Sequence, residues 1–217
     1  MRPHVLAPGL WAWSAPHPDW TPDRAGVGGW DRDVWSWLLE AEDRVVLIDP
    51  LLPADPDLTR WLDERVDGRP VDALVSVYWH LRSADAMHAR YDATVWGNPK
   101  TREDVEQVVT GVIADGDVLP GGVVPFTPIP SNGDEEETAF WLPRQRALVV
   151  GDILISTTAG VRLWWEQKTD ESRDEYRRRV QPALRRLLEL PIAMLLVPHG
   201  GPVADGHRAL EEALEAP

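Results

Sequence analysis

Short hydrophobic runs alternate with polar turns and with longer amphipathic segments along this chain. The runs Val34–Leu39 and Val45–Ile48 flank a short acidic turn, which predicts a β-hairpin. Glu137–Leu142 and Ala147–Val150 flank a second charged turn in the same way. The pattern therefore predicts two sheets, each built around a hairpin.

Amphipathic segments between these runs predict helices. Asp55-Pro56 has the composition of a helix start, and apolar residues then recur at helical spacing up to Val66. Pro182 lies inside another such segment and predicts a kink or a break there. Further helices are predicted for residues 83–90, 101–111 (from a capping box of Thr101 and Asp104), 170–190 and 205–214.

The two halves of the chain resemble each other in organisation. In each half a strand is entered by a charged turn and ends near an aspartate, Asp49 or Asp152. We therefore predict an α/β fold, a four-layer αββα sandwich in which two mixed β-sheets are flanked by helices. A single doubly wound parallel sheet is the alternative, but the hairpins count against it. No segment has the composition of a linker, so residues 1–217 are predicted to form a single domain.

Composition narrows the partners and the chemistry. The net charge of −14 argues against nucleic acid, since phosphate binding needs clustered Lys and Arg. The chain has no cysteine, so thiolate catalysis and sulfur ligation of a metal are excluded. No apolar run is long enough for a membrane span or a signal peptide, and we expect a cytoplasmic protein that binds a small-molecule substrate or ligand.

Polar residues of three types follow successive predicted strands. His80, Arg82 and Asp85 follow one apolar run, Asp152 ends a second, and His199 ends a third in the sequence Pro-His-Gly-Gly-Pro. Residues at the ends of neighbouring strands meet at one edge of a sheet, where binding sites are commonly built. The sequence therefore predicts a site at this edge.

The order of these motifs resembles the metallo-β-lactamase fold superfamily, over roughly residues 30 to 205. In that family a His-x-His-x-Asp-His motif binds two metal ions, usually zinc. A later Gly-His, a Gly-Asp whose carboxylate bridges the metals, and a final Gly-His complete the ligand set. The resemblance implies the sandwich fold and hydrolysis by metal-activated water.

The metal motif of this chain is degenerate by comparison. His80 matches the first histidine, whereas Arg82, Ala84 and Asp85 stand where the second histidine, the aspartate and the third histidine would be. The matches elsewhere are Asp152 for the bridging carboxylate, His199 for the final histidine and Asp49 for a structural strand-end aspartate. The segment 131–137, where the later Gly-His is expected, has no histidine.

Two interpretations of the site follow. In the first, His80, Asp85, Asp152 and His199 bind zinc or another divalent metal, with a carboxylate from the run 134–137 as a further donor. Two of these residues, His80 and Asp85, are also the candidate catalytic residues, as ligand or base. In the second, Arg82 replaces a metal and pairs with Asp85 or Asp152, and the run 134–137 is a solvated loop.

The functional hypotheses divide in the same way. The first is a metal-dependent hydrolase of an ester, amide, thioester or phosphoester, with a mononuclear site. The alternative is a catalytically silent, metal-free member that binds a small molecule or a protein partner, and acid–base chemistry by His80 and Asp85 without metal is the third. Among the twelve tryptophans, Trp79, Trp164 and Trp165 are the candidates for lining a pocket, and segments 11–30 and 156–167 are expected to form its lid. Three histidines are expected at the surface: His4, His17 and His207.

Overall fold

Two mixed β-sheets, packed against each other and covered on their outer faces by helices, make up the fold. The computed structural model describes residues 3–24, 30–52, 54–104, 108–131, 135–165 and 167–215. Within these residues the strands are β1 His4–Ala7, β2 Leu10–Pro16, β3 Asp33–Glu40, β4 Val45–Ile48, β5 Val71–Leu74, β6 Thr94–Gly97, β7 Gly111–Val112, β8 Val124–Pro130, β9 Glu136–Leu142, β10 Ala147–Val149, β11 Leu154–Thr157, β12 Gly160–Leu163, β13 Met194–Val197 and β14 Gly201–Ala204. The helices are α1 Pro56–Val66, α2 Ala84–Tyr91, α3 Pro99–Asp104, α4 Asp170–Glu175, α5 Gln181–Arg185 and α6 Gly206–Glu215. A π-helical segment covers Tyr176–Val180, and 3-10 turns cover Pro22–Arg24, Tyr78–Leu81, Pro120–Gly122 and Arg186–Glu189.

The larger sheet contains β1 to β7 in sequence order. Strands β1 to β4 are antiparallel neighbours, and β3 and β4 form the predicted hairpin, with Leu39 opposite Val46. From β4 to β7 the strands are parallel. The change of direction follows from the connections, because α1 and α2 return the chain to the starting end before β5 and β6.

The smaller sheet has the order β14-β13-β10-β9-β8. β9 and β10 form the second predicted hairpin, with Trp141 opposite Leu148. β13 is parallel to β10, because the helical segment 170–189 connects them over the outer face. β11 and β12 form a separate hairpin.

Three hydrophobic layers hold the two sheets and the helices together. The layer between the sheets includes Trp37, Ile48, Phe140, Val149 and Leu196, all fully buried. A second layer packs the larger sheet against α1 and α2 through Trp13, Leu47, Leu58, Leu62 and Met87. A third packs the smaller sheet against α5 and α6 through Leu148, Leu184, Leu195 and Leu210. The order helix, sheet, sheet, helix confirms the predicted αββα sandwich.

Two helices follow the sequence signals closely. Asp55 accepts hydrogen bonds from the N–H groups of Asp57 and Leu58, which caps α1 with Pro56 in its first turn. In the segment 170–189, the predicted irregularity takes the form of a π-helical turn that ends just before α5. The N–H of Gln181 reaches the carbonyl of Tyr176, five residues back, one residue before Pro182, which has no N–H to donate.

One helix start was predicted wrongly. α3 begins at Pro99, before the expected start at Thr101, because the Asn98 side chain accepts a hydrogen bond from the N–H of Thr101. Ser83 precedes α2 as predicted, but its hydroxyl accepts from the N–H of Leu52 and makes no cap hydrogen bond. No helix in the described part of the chain is long and apolar enough to cross a membrane.

Candidate metal centre

Three side chains that are far apart in sequence meet where the edges of the two sheets come together. His80 lies in the 3-10 turn after β5, Asp152 follows β10, and His199 follows β13. Asp152 Oδ1 lies 3.1 Å from His80 Nε2 and 3.2 Å from His199 Nε2. Among the described residues these three form a group whose donor atoms could hold a metal ion.

His80 is oriented by a buried aspartate behind it. Asp49 Oδ2 lies 3.0 Å from His80 Nδ1, and both side chains are buried. Asp49 is itself fixed by Ser76, whose hydroxyl donates to Oδ2 at 2.6 Å and whose N–H donates to Oδ1 at 2.8 Å. A carboxylate on Nδ1 favours the tautomer in which Nε2 carries the lone pair, so His80 can present Nε2 to a metal.

Asp152 is oriented by an indole. Trp79 Nε1 donates to Asp152 Oδ2 at 2.8 Å. This bond leaves Oδ1 to face the two histidines. Asp152 therefore has one oxygen fixed by the protein and one available as a ligand.

His199 is held mainly through its backbone and its ring faces. Its carbonyl accepts from the N–H of Ser156 at 2.8 Å, and the residue forms an isolated bridge with Val34 of β3. The rings of Trp30 and Trp164 contact the imidazole edge to face, with centroids 4.7 and 5.5 Å away. The ring is thus clamped between two tryptophans.

The two glycines after His199 explain the Pro-His-Gly-Gly-Pro sequence. Gly200 and Gly201 have φ values of +98° and +86°, which disfavour any other residue. A Cβ at Gly200 would lie 2.2 Å from the Ser156 carbonyl oxygen, and one at Gly201 would lie 2.6 Å from the Trp35 ring. The chain can pass so close to β3 and β11 only without side chains at these positions.

The charges of the group are strongly coupled. Burial and the Arg82 guanidinium both act to lower the pKa of His80, but the carboxylates of Asp152 and Asp49 outweigh them and raise it to about 9. Burial would raise the pKa of Asp152, but the two neighbouring imidazoles lower it well below its usual value. In the metal-free protein both ring nitrogens of His80 therefore carry a proton at neutral pH. A metal ion bound at Nε2 would displace the proton there.

The spacing of the donor atoms suits binding to a common metal ion better than hydrogen bonding to one another. His80 Nε2 and Asp152 Oδ1 are both buried and, although only 3.1 Å apart, have no well-directed hydrogen-bond partner among the described residues. Ligands bound tetrahedrally at about 2.0–2.1 Å lie roughly 3.3 Å from one another, close to the two separations seen here. Two imidazoles and a carboxylate are a donor set found at catalytic zinc sites and at non-haem iron sites.

Arg82 does not make the ion pairs predicted for it. Its guanidinium is buried, and Nη1 lies 3.4 Å from the backbone carbonyls of Trp35 and Asp49. Within the described residues no salt bridge joins it to Asp85 or Asp152, and Nε and Nη2 have no hydrogen-bond partner. Burial lowers the pKa of Arg82, against the opposing charges of Asp49 and Asp152. Its positive charge is thus fixed beside the site by the backbone.

Asp85 is not brought into the group. It lies in the first turn of α2 with an exposed side chain that accepts from the N–H of Ala86. Arg82, with φ of +39°, ends the 3-10 turn, and α2 then buries Ala84 and Met87, which turns Asp85 to solvent. The structure therefore contradicts the prediction that Asp85 is a metal ligand.

Glu137, at the end of the acidic run, is fully buried and so contradicts the prediction of a solvated loop there. Ser131 Oγ donates to its Oε1 at 2.7 Å, and the N–H of Ile153 donates to Oε2 at 3.1 Å. Burial, followed by the charge of Asp152, raises its pKa to about 8. Glu137 thus supports the loop that carries Asp152 and is not one of the three donors; Asp134 lies outside the described residues.

The three donors open into a cavity of about 310 Å³. Trp79 and Trp164 line it as predicted, whereas Trp165 packs in the core of the smaller sheet and donates to the Ser172 carbonyl. The remaining lining residues are His17, Asp19, Trp30, His80, Asp152 and His199. His17 was expected at the surface, since its sequence neighbours give no signal of a site. Of the expected lid segment 11–30, the described residues that line the cavity are His17, Asp19 and Trp30. Trp13, near its start, is buried against α1.

The fold is that of the metallo-β-lactamases, and within it His80, Asp152 and His199 form a group of three donors that could hold a metal ion. The chain superposes on the DIM-1 metallo-β-lactamase exposed to ceftazidime with a TM-score of 0.71 and 14% identity, over 99% of this chain and 96% of the other. The metallo-β-lactamase from Pontibacter korlensis gives a TM-score of 0.70 and 16% identity, over 98% of this chain and 96% of the other. A metallo-β-lactamase family protein from Thermus thermophilus gives 0.61 and 19%, over 96% and 79%. Comparison with protein-family models and with curated protein sequences gives no match.

Proposed function

We propose that this protein is a mononuclear metal-dependent hydrolase in which His80, Asp152 and His199 bind a single zinc ion. The observation that carries the proposal is the convergence of His80 Nε2, His199 Nε2 and Asp152 Oδ1, with both nitrogens within 3.2 Å of the shared carboxylate oxygen. The fold likeness to metallo-β-lactamases supports a hydrolytic reaction.

Arg82 and Ala84 are the reason for proposing one ion rather than two. At these positions the resemblance places two ligands of a two-metal site, and here they are a buried guanidinium and a methyl group. A fixed cation repels a second dication at short range. Arg82 thus supplies one positive charge where a second ion would supply two.

The chain's own residues have distinct tasks in this proposal. Asp49 keeps His80 oriented, and Trp79 keeps Asp152 Oδ1 turned to the centre. Trp30 and Trp164 shield His199 from water. When bound, zinc supplies a water molecule of lowered pKa and polarises the substrate oxygen.

The cavity favours a small substrate. A volume of about 310 Å³ is near the lower limit of typical ligand pockets, about 300–1,000 Å³. Its walls combine three indoles with the polar donors, which suits a compact ester, thioester or amide with an apolar group. Asp85 has no catalytic role in the proposal, because its carboxylate is exposed and lies outside the cavity lining; His80 acts as a ligand and not as a base.

A catalytically silent, metal-free binding protein is the second candidate. The pKa of His80, about 9, favours it, because the cation of His80 and the buried Arg82 together balance the charges of Asp49 and Asp152 without any ion. The cavity would then be a binding site for a small molecule.

Hydrolysis assays distinguish the two candidates. Zinc-loaded protein, protein stripped with a chelator, and His199→Ala would be compared on short-chain p-nitrophenyl esters, a thioester, bis-p-nitrophenyl phosphate and a chromogenic β-lactam. The proposal expects turnover of at least one of these that needs both the metal and His199. Turnover of none of these substrates by zinc-loaded protein would favour the silent protein, and equal turnover by wild type and His199→Ala would contradict the proposed metal site.

A further inference from the structure

A fourth polar side chain lies in the cavity beside the three donors. His17 follows β2 and lines the cavity together with His80, Asp152 and His199. Its ring meets Trp30 edge to face, with centroids 4.9 Å apart, and Trp30 in turn contacts His199. His17 is therefore held on the wall of the cavity and does not extend freely into solvent.

The tautomer of His17 is set by its own turn. The N–H of Asp19 donates to His17 Nδ1 at 3.1 Å, so Nδ1 must carry a lone pair. In a neutral imidazole the proton is then on Nε2. Nε2–H is consequently the one N–H donor of the neutral ring.

The surroundings also keep His17 neutral. Burial lowers its pKa, and the nearby cation of Arg82 lowers it further; the carboxylate of Asp19 opposes them, and His199 and His80 make smaller contributions that also lower it. A neutral imidazole can donate a hydrogen bond to a developing oxyanion without losing its proton. Triosephosphate isomerase, another protein, uses a neutral histidine in this way.

We propose that His17 is a hydrogen-bond donor for the substrate oxygen, and that Nε2–H stabilises the negative charge that develops on a carbonyl or phosphoryl oxygen bound in the cavity. The inference rests on the proposed hydrolytic function and adds the group that binds the tetrahedral oxyanion. The ligand class is therefore a tetrahedral anion or an acyl compound that passes through one. No bond to His17 forms or breaks, because the role is electrostatic.

Two substitutions separate the functions of the two ring nitrogens. His17→Asn keeps an acceptor near Nδ1 for the Asp19 N–H but removes the donor at Nε2. His17→Gln places an amide N–H near Nε2 but disturbs the local turn. If His17 acts by hydrogen-bond donation, His17→Gln should keep the ligand affinity of wild type and His17→Asn should lose it. If His17 only shapes the turn, His17→Asn should keep the affinity and His17→Gln should lose it.

The probe is methylphosphonate, a stable tetrahedral anion, titrated calorimetrically into wild type and both variants, with zinc and without. We expect about a tenfold weaker Kd for His17→Asn, the loss of one hydrogen bond to a charged group, and a change below about twofold for His17→Gln. Nitrogen-15 NMR of the wild-type imidazole should show the Nε2–H tautomer near neutral pH.

The outcomes separate this inference from the proposed function. Failure of wild type to bind zinc would refute the proposed hydrolase function. The role of His17 would still be decided by its tautomer and by the relative methylphosphonate affinities of wild type and the two variants without metal. Equal affinity of His17→Asn and wild type, loss of affinity in His17→Gln, no phosphonate binding by wild type in either form, or an Nδ1–H tautomer would each overturn the inference.

Discussion

Each of two ligands of the candidate site, His80 and Asp152, has one polar atom fixed by the protein and another turned to the centre. Asp49 binds His80 Nδ1 and leaves Nε2, and the Trp79 indole binds Asp152 Oδ2 and leaves Oδ1. Partners of this kind set the orientation and basicity of metal ligands. The affinity of the site should therefore depend on residues that never touch the metal.

Trp79→Phe tests this dependence. The ring contacts with Tyr78 and His80 can persist, but the hydrogen bond to Asp152 is lost, so zinc affinity should fall by about 10- to 100-fold. A competition titration with a chelating dye measures the change. Trp165→Phe is the matched control, since it removes an indole bond to the Ser172 carbonyl outside the cavity and should leave zinc affinity unchanged. Equal affinities for Trp79→Phe and wild type would contradict the orienting role.

Glu137 makes stability depend on pH. Its pKa is about 8 in the folded protein against an ordinary 4.5, so the folded state holds the proton more tightly, and stability is lost as pH rises from about 4.5 to 8. His80, raised from 6.5 to about 9, acts in the same direction but only from about pH 6.5 upward. Between pH 5 and 6.5 Glu137 is thus the source of the decline, at up to about 1.4 kcal/mol per pH unit.

Glu137→Gln should remove that decline, because the amide oxygen can accept from the N–H of Ile153 and the amide N–H can donate to the Ser131 hydroxyl, without a charge. Urea unfolding of metal-free protein at pH 5.0, 5.75 and 6.5 measures it, with the exposed Glu211→Gln as a control for loss of a negative charge. A slope in Glu137→Gln equal to that of wild type would show that another group is responsible.

The sequence predicted the three donors but not their surroundings. His80, Asp152 and His199 could be identified because each closely follows a buried strand. Asp85 could not be excluded, because its direction depends on the left-handed backbone at Arg82, which no residue type announces. His17 was missed for a related reason: its partners come from distant segments, so no local pattern marks it.

At the scale of elements, the position of His199 depends on the close approach of three strands. The segment after β13 crosses beside β3 and β11 at Gly200 and Gly201. Packing at this crossing leaves no space for a methyl group.

Gly200→Ala should displace Ser156 and with it His199. Backbone strain of about 1–2 kcal/mol from the positive φ adds to an overpacking cost of about 1–3 kcal/mol. Gly160→Ala is the control, because Gly160 also has a positive φ (+116°) but nothing lies within 4 Å of its Cβ position. The free energy of unfolding should fall further for Gly200→Ala than for Gly160→Ala, and zinc binding should weaken only in the former. Equal losses of stability in both would mean that strain alone matters.

Elements with a regular hydrophobic pattern were predicted well, and those governed by a single side chain were not. Both hairpins follow from hydrophobic runs on either side of a charged turn, and α1 follows from the Asp55 cap and the helical spacing of its apolar residues. All of these signals act locally. The start of α3 depends on which of two nearby polar residues takes the cap, and Asn98 does so. Pro182 indicated an irregular helix, but no residue type indicated that the irregularity would be a π-helical turn.

At the scale of the whole molecule, the fold alone does not give the reaction, since one fold supports many sites. The acidic chain, with a net charge of −14, provides a field that attracts cations. In the proposed site, the buried Arg82 would limit the number of bound dications to one. Fold, field and donor set together predict one metal ion per chain.

Metal content after purification and desalting tests this most directly. Mass spectrometric metal analysis of protein equilibrated with zinc should give one equivalent for wild type and for Asp85→Ala, and none for Asp152→Ala. No retained zinc in wild type, two equivalents, or loss of zinc in Asp85→Ala with retention in Asp152→Ala would contradict the account.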